Sequence, residues 1–117
     1  MSNDPFRPLE SEDDWSKALQ ASEDQQILVF KHSSTCSISN KANQEMQSLA
    51  REGDLPVFRV VVQQNRALSD QIAETLDVRH ESPQVLLVQN RESVFDTSHL
   101  NVTADTLRTE LHRTPVE

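Results

Sequence analysis

The stretch KHSSTCSISNKA, Lys31 to Ala42, holds the single cysteine of the chain, Cys36. A redox dithiol would carry its second sulfur three positions on, where Ser39 stands instead. Thiolate is the nucleophilic form of cysteine, and the start of an α-helix favours it through unpaired backbone N–H groups and the positive end of the dipole. A lone cysteine is more often a small buried hydrophobe. Here, however, its neighbours are Ser33, Ser34, Thr35, Ser37 and Ser39, where a core thiol would have apolar ones. The pattern points to a reactive sulfur. With no partner in the chain, Cys36 exchanges only with a thiol or disulfide from outside, by attack on a mixed disulfide and release by a second thiol. The hydroxyls of Ser37 and Ser39 are candidate hydrogen-bond partners for the sulfur.

Two further groups have chemistry to offer. Pro83, preceded by Ser82, opens the apolar run VLLV. A proline at the start of a strand exposes backbone polar groups, and the residues alone leave its peptide bond cis or trans. The histidines are His32, His80, His99 and His112. An imidazolium near Cys36 would stabilise a thiolate. A Cys/His metal site is the other reading, with no ligand-spacing motif behind it. In DTSHLNVT, hydroxyls and Asn101 precede a helix start, which suits an anion such as a ligand carboxylate, although Thr103 also serves as an ordinary N-cap.

The elements that must position these residues follow from periodicity. Ser11 caps a first helix with Asp14 as a weak capping-box partner, and Trp15, Ala18 and Leu19 share one face. Ile27 to Phe30 is an unbroken apolar run of strand length, as expected of a strand covered on both sides. Ile38, Ala42, Met46 and Leu49 form the stripe of a second helix, closed by Gly53, the only glycine, as a left-handed C′ residue. Val57 to Val62 is a second strand, and Leu68, Ile72, Ala73 and Leu76 mark a third helix. A strand after Pro83 and a hairpin return over SVFDT follow. Thr103 caps a last helix with Leu107 and Leu111 inward, and residues 114–117 are expected to fray. Residues 1–10, with two prolines, read as a loose arm ahead of one domain over 11–113. The order αβαβαββα, with right-handed parallel crossovers, makes a four-stranded mixed sheet with helices on both faces. That is the thioredoxin-like layout of the α/β class. Its topology puts the end of the first strand, the start of the third and the exit of the fourth on one edge, bringing His32, His80 and His99 towards Cys36.

The totals are consistent with this. A chain of 117 residues is one domain's worth and can bury its own core. Eleven basic against nineteen acidic residues leave a net charge of -8, which repels nucleic-acid phosphates and anionic membranes. One cysteine excludes an internal disulfide. No apolar stretch suits a signal peptide or a membrane span, so a reduced cytoplasmic setting is expected.

FKHSSTCSISNKA, HESPQVLLV and DTSHLNVTADTL, taken together and in order, resemble the YtxJ-like, monothiol bacilliredoxin family of the bacillithiol system, over roughly residues 9–112. The resemblance implies a thioredoxin-like fold and removal of bacillithiol, or a similar low-molecular-weight thiol, from mixed disulfides on proteins. It implies no bound cofactor: bacillithiol is a co-substrate, and the partners are S-thiolated proteins. The chain itself is expected to be a monomer or weak dimer. Cys36 matches the family's nucleophile, and Thr35, Ile38 and Ser39 match its motif. Ser82, Pro83 and Gln84 match the cis-proline loop that holds substrate backbone. Thr97, Ser98 and His99 match the segment after the last strand, so that His32 or His99 would steady the thiolate or ligand carboxylates. Ser37 departs from the family, which usually has proline there. The loss frees a backbone N–H near the sulfur. The alternative is a non-catalytic thioredoxin-like binding or adaptor module, with Cys36 vestigial or a metal ligand.

Overall fold

The computed structural model describes residues 4–53 and 55–113. The elements in order are β1 (Arg7–Pro8), α1 (Glu12–Ala21), β2 (Ile27–His32), α2 (Ser37–Glu52), β3 (Val57–Val61), α3 (Arg66–Leu76), β4 (Gln84–Gln89), β5 (Glu92–Ser98), a 3-10 turn (His99–Asn101) and α4 (Ala104–Arg113). The sheet runs β1-β3-β2-β4-β5. β1, β3 and β2 are parallel, whereas β4 and β5 form the antiparallel hairpin.

β2 is the spine of the sheet. Its six residues are all buried, because strands flank it on both sides and helices cover both faces. Alternation along it divides the core. Ile27 and Val29 pack with Trp15, Leu19, Phe58 and Ile72 on the side of α1 and α3. Leu28 and Phe30 pack with Met46, Leu49, Val85 and Leu107 on the side of α2 and α4. The helix ends are built as the residues suggest. Ser11 accepts the Asp14 N–H at 3.1 Å, Gly53 closes α2 at φ 77°, and Thr103 Oγ1 accepts the Thr106 N–H at 3.2 Å.

Three expectations are corrected. The sheet has five strands, not four. The added strand lies within what reads as a loose arm: Arg7 and Pro8 pair in parallel with Phe58 and Arg59. Phe6 and Leu9, three apart, are the reason, since both are buried. Phe6 stacks against Phe30 at 5.9 Å and lies under the Arg59 guanidinium at 4.6 Å. The third correction concerns α2, whose inward stripe is Ser39, Ala42, Met46 and Leu49. Ile38 is 38% exposed, at the rim beside Cys36. Residues 114–117 and the side chain of His112 lie outside the described residues. Among the described residues no helix is long and apolar enough to cross a membrane.

Candidate active site

Strand β2 ends at His32, and the four residues Ser33 to Cys36 cross to α2. Cys36 is itself the N-cap of α2, in extended conformation, and its side chain makes no cap hydrogen bond. The first helical bond is donated by Asn40 N–H to the Cys36 carbonyl at 2.9 Å. The N–H groups of the first turn therefore have no helical acceptor. The residue is partly exposed. The free thiol thus stands at a helix start with room to meet another sulfur.

The serines and Thr35 divide into two roles. Ser39 is fully buried, and its Oγ accepts the Ser33 N–H at 2.8 Å while meeting His32 Nδ1 at 2.8 Å. It ties the loop to the strand end instead of touching the sulfur. The place where a dithiol would carry its second sulfur is thus an internal clamp. Ser37 is exposed on the first turn of α2. The outer face of the loop is held by Gln63, in the connection after β3. Its Nε2 donates to Ser33 Oγ at 2.6 Å and to Thr35 Oγ1 at 3.0 Å, and its Oε1 accepts the Ser34 N–H at 3.1 Å. Gln63 carries no local mark in the sequence. The available signal is that β2 and β3 are adjacent and parallel, so the loops after them meet.

On the opposite side stands the loop before β4. The Ser82–Pro83 peptide is cis. The Pro83 carbonyl accepts the His99 N–H at 2.9 Å, which ties this loop to the turn after β5. Gln84, buried, donates from Nε2 to the Arg79 carbonyl at 3.0 Å and accepts the Glu81 N–H at 3.4 Å. Ser82 Oγ is buried and has no hydrogen-bond partner among the described residues. Between the loops lies an open cleft of about 390 Å³, lined by Cys36 and Ser33, by Gln63 and Arg66, and by His80 and Ser82.

The histidines separate. His32 is 7% exposed, with its ring tilted against Phe30 at 5.6 Å. Burial, assisted by the nearby Arg59 charge, pushes its pKa below the usual 6.5. It is neutral at neutral pH, so it is not the imidazolium that would steady a thiolate. His99 projects to Glu81, with Nε2 to Oε1 at 3.3 Å, beside Pro83 and not in the cleft lining. His80 is the histidine in that lining. Its Nδ1 lies 3.2 Å from Nζ of Lys31, which has no exposed surface. Burial brings Lys31 down to about 8 despite the raising effect of Asp70. Burial, then the charges of Lys31 and Arg66, also lower His80. Among the described residues no three His, Cys, Asp or Glu side chains form a set able to hold a metal ion, so a metal-ligand role for Cys36 has no donor set there.

Known proteins give this arrangement a context. Residues 7–107 match the family model described as monothiol bacilliredoxin BrxC. A solved structure described as a proposed oxidoreductase with a thioredoxin fold is 33% identical, superposes with a TM-score of 0.81, and is matched over 89% of this chain and 91% of its own. Fasciola hepatica thioredoxin, at 20% identity and TM-score 0.74 over 94% and 100% of the two chains, shares the fold. So does the thioredoxin of Trypanosoma brucei brucei, at 14% identity and TM-score 0.76 over 96% and 93%.

Proposed function

We propose, for a chain that belongs to the monothiol bacilliredoxin family, that its thiol redox function is the removal of bacillithiol from mixed disulfides on proteins. The thiolate of Cys36 attacks the bacillithiol sulfur of a protein–bacillithiol disulfide. A new S–S bond joins Cys36 to bacillithiol, the old one breaks, and the electron pair leaves on the protein sulfur, which becomes a thiol. A second small thiol then attacks the bacillithiol sulfur of the adduct and restores Cys36. A reducing compartment such as the cytoplasm would supply that thiol.

One observation carries this reading: the chain's single cysteine is accessible at the N-terminus of α2, while the resolving position is filled by buried Ser39. Such a site can accept a small thiol and cannot discharge it internally. Ser82, whose peptide bond to Pro83 is cis, lines the same cleft as Cys36, where the substrate's backbone or the thiol's polar groups would find partners. Ser37, Thr35 and His99 are proposed as secondary contacts. The working species is proposed to be a monomer or weak dimer.

The test is incubation with a purified S-bacillithiolated protein, followed by intact-mass measurement of both chains. Release of the protein thiol with one bacillithiol added to this chain, absent in Cys36→Ser, is the expected result. Failure to form the adduct while Cys36 still reacts with other disulfides would remove bacillithiol as the substrate. Inertness to every disulfide would favour the non-catalytic module.

A further inference from the structure

Along β2 the side facing α1 and α3 reads Ile27, Val29, Lys31. The third member of this inward row is a cation with no exposed surface. No carboxylate lies within ion-pair distance of it among the described residues, and its one hydrogen bond there is to His80 Nδ1 at 3.2 Å. A desolvated ammonium with only an imidazole for company is a poor choice for stability alone. Its partner lines the cleft that also holds Cys36 and Ser82.

We propose that Lys31 and His80 form a proton relay that serves the leaving sulfur during exchange at Cys36. An ammonium can only donate, so Nδ1 of His80 is the acceptor and the ring proton sits on Nε2. His80 is then held as a donor at the cleft. When the thiolate of Cys36 displaces the outgoing sulfur, that sulfur takes the Nε2 proton. Nδ1 takes a proton from Lys31, whose amine is left neutral. The proton that the Cys36 thiol gives up before the next attack travels back along the same path. Each cycle converts one thiol and one disulfide into another thiol and disulfide with no net proton, and no further reagent is needed. His80 is the catalytic member and Lys31 the positioning one. The charged groups around the pair are Asp70 and Arg66 from α3 and Glu81 beside His80.

The relay presupposes thiol exchange at Cys36 but not bacillithiol as the substrate. Its test therefore uses two unrelated disulfides. Bis-hydroxyethyl disulfide releases a basic alkyl thiolate that needs a proton. The aryl disulfide of thionitrobenzoate releases a thiolate stable without one. The readout is the ratio of alkyl to aryl rate constants for modification of Cys36. His80→Gln is expected to lower that ratio by about 10², the low end for general acid–base catalysis. Lys31→Met is expected to lower it as well, and Lys31→Arg, which keeps the charge but cannot give up a proton, is expected not to restore it. In the wild type the ratio falls as pH rises through about 8, where Lys31 loses its proton, and His80→Gln abolishes that dependence. A ratio unchanged in His80→Gln would overturn the relay, even if both rates fall together. A wild-type chain that discriminates here but forms no bacillithiol adduct loses only the proposed substrate.

Discussion

Replacing Ser39 by alanine separates a structural hydroxyl from a chemical one. Ser39 Oγ joins two groups that have few other options: the Ser33 N–H and His32 Nδ1, each at 2.8 Å. Ser39 is fully buried and His32 is 7% exposed, so water cannot easily replace the lost oxygen at the imidazole. Leaving a buried polar group unpaired costs about 1–3 kcal/mol. Ser33 is partly exposed and recovers some of its loss from solvent. The sum is about 2–3 kcal/mol, with a negligible packing contribution because only one atom is removed. For a domain of this size that is a fall in Tm of roughly 10 °C. Urea unfolding followed by circular dichroism measures it, with the m-value checking that the transition remains two-state. Below the new transition, the rate of Cys36 alkylation by iodoacetamide is expected to change less than threefold, since Ser39 does not hydrogen-bond the sulfur. A destabilisation under 0.5 kcal/mol together with a tenfold loss of alkylation rate would refute this assignment and return Ser39 to the role of a sulfur ligand.

Gln63→Ala removes the contacts to Ser33, Ser34 and Thr35 on the solvent side. These are exposed, so the expected loss is only about 1 kcal/mol, while the amides of residues 33–36 should exchange with deuterium several-fold faster; unchanged exchange there would count against the clamp. Lys31→Met is expected to be more stable than the wild type at pH 7. The folded pKa of about 8 lies below 10.5, so the unfolded chain binds the extra proton between these values and stability rises with pH through that window. Below it the full penalty, roughly 3 kcal/mol, is present, and losing the His80 bond offsets about 1 kcal/mol of the gain. A destabilised Lys31→Met at pH 7 would contradict this. His32, whose folded pKa is lowered from 6.5, acts at the other end: its contribution is complete above 6.5 and is lost as pH falls below it, by at most about 1.4 kcal/mol per pH unit. Urea midpoints that stay flat from pH 6.5 to 5.5 would show that His32 protonates freely in the folded chain.

The elements that carry the site were legible where a period or a cap was unambiguous. Ile27–Phe30, the Ala42–Met46–Leu49 face, Gly53 and Pro83 each declare themselves by apolar run, spacing or residue type. The thiol's place at a helix start follows from those boundaries, and the thioredoxin-like order from their sequence. What escaped was what depends on partners distant in sequence. Arg7 and Pro8 make a strand only because β3 offers an edge and Phe6 finds Phe30 and Arg59; two residues have no period to read. Ser39 looks like one more hydroxyl in a serine-rich loop until the turn of α2 points it inward in place of Ile38. Gln63 has a partner set only once β2 and β3 lie side by side. Lys31 lies beyond the apolar run Ile27–Phe30, whereas the strand extends through it and the sheet buries it.

That last residue bears most on how the site works. A chain with net charge -8 has abundant carboxylates, and a buried lysine needing only stabilisation would be expected beside one. Asp70 is near enough to raise the Lys31 pKa but too far to pair with it, and Arg66 acts in the opposite sense. Asp70 is instead engaged by Arg66 at 3.1 Å on the surface of α3. The arrangement thus leaves the ammonium poised near neutrality. A close carboxylate would lock the proton on, and an apolar residue at position 31 would stabilise the fold and remove the proton altogether. Sites that depart from the most stable local choice are where function is expected to be found. Here the departure is one bond from a histidine in the Cys36 cleft. In a dithiol enzyme the second sulfur ends the reaction. In this chain the outgoing thiol and the next incoming one must each be served from outside, and a group able both to give and to take a proton near pH 8 suits both halves of that cycle.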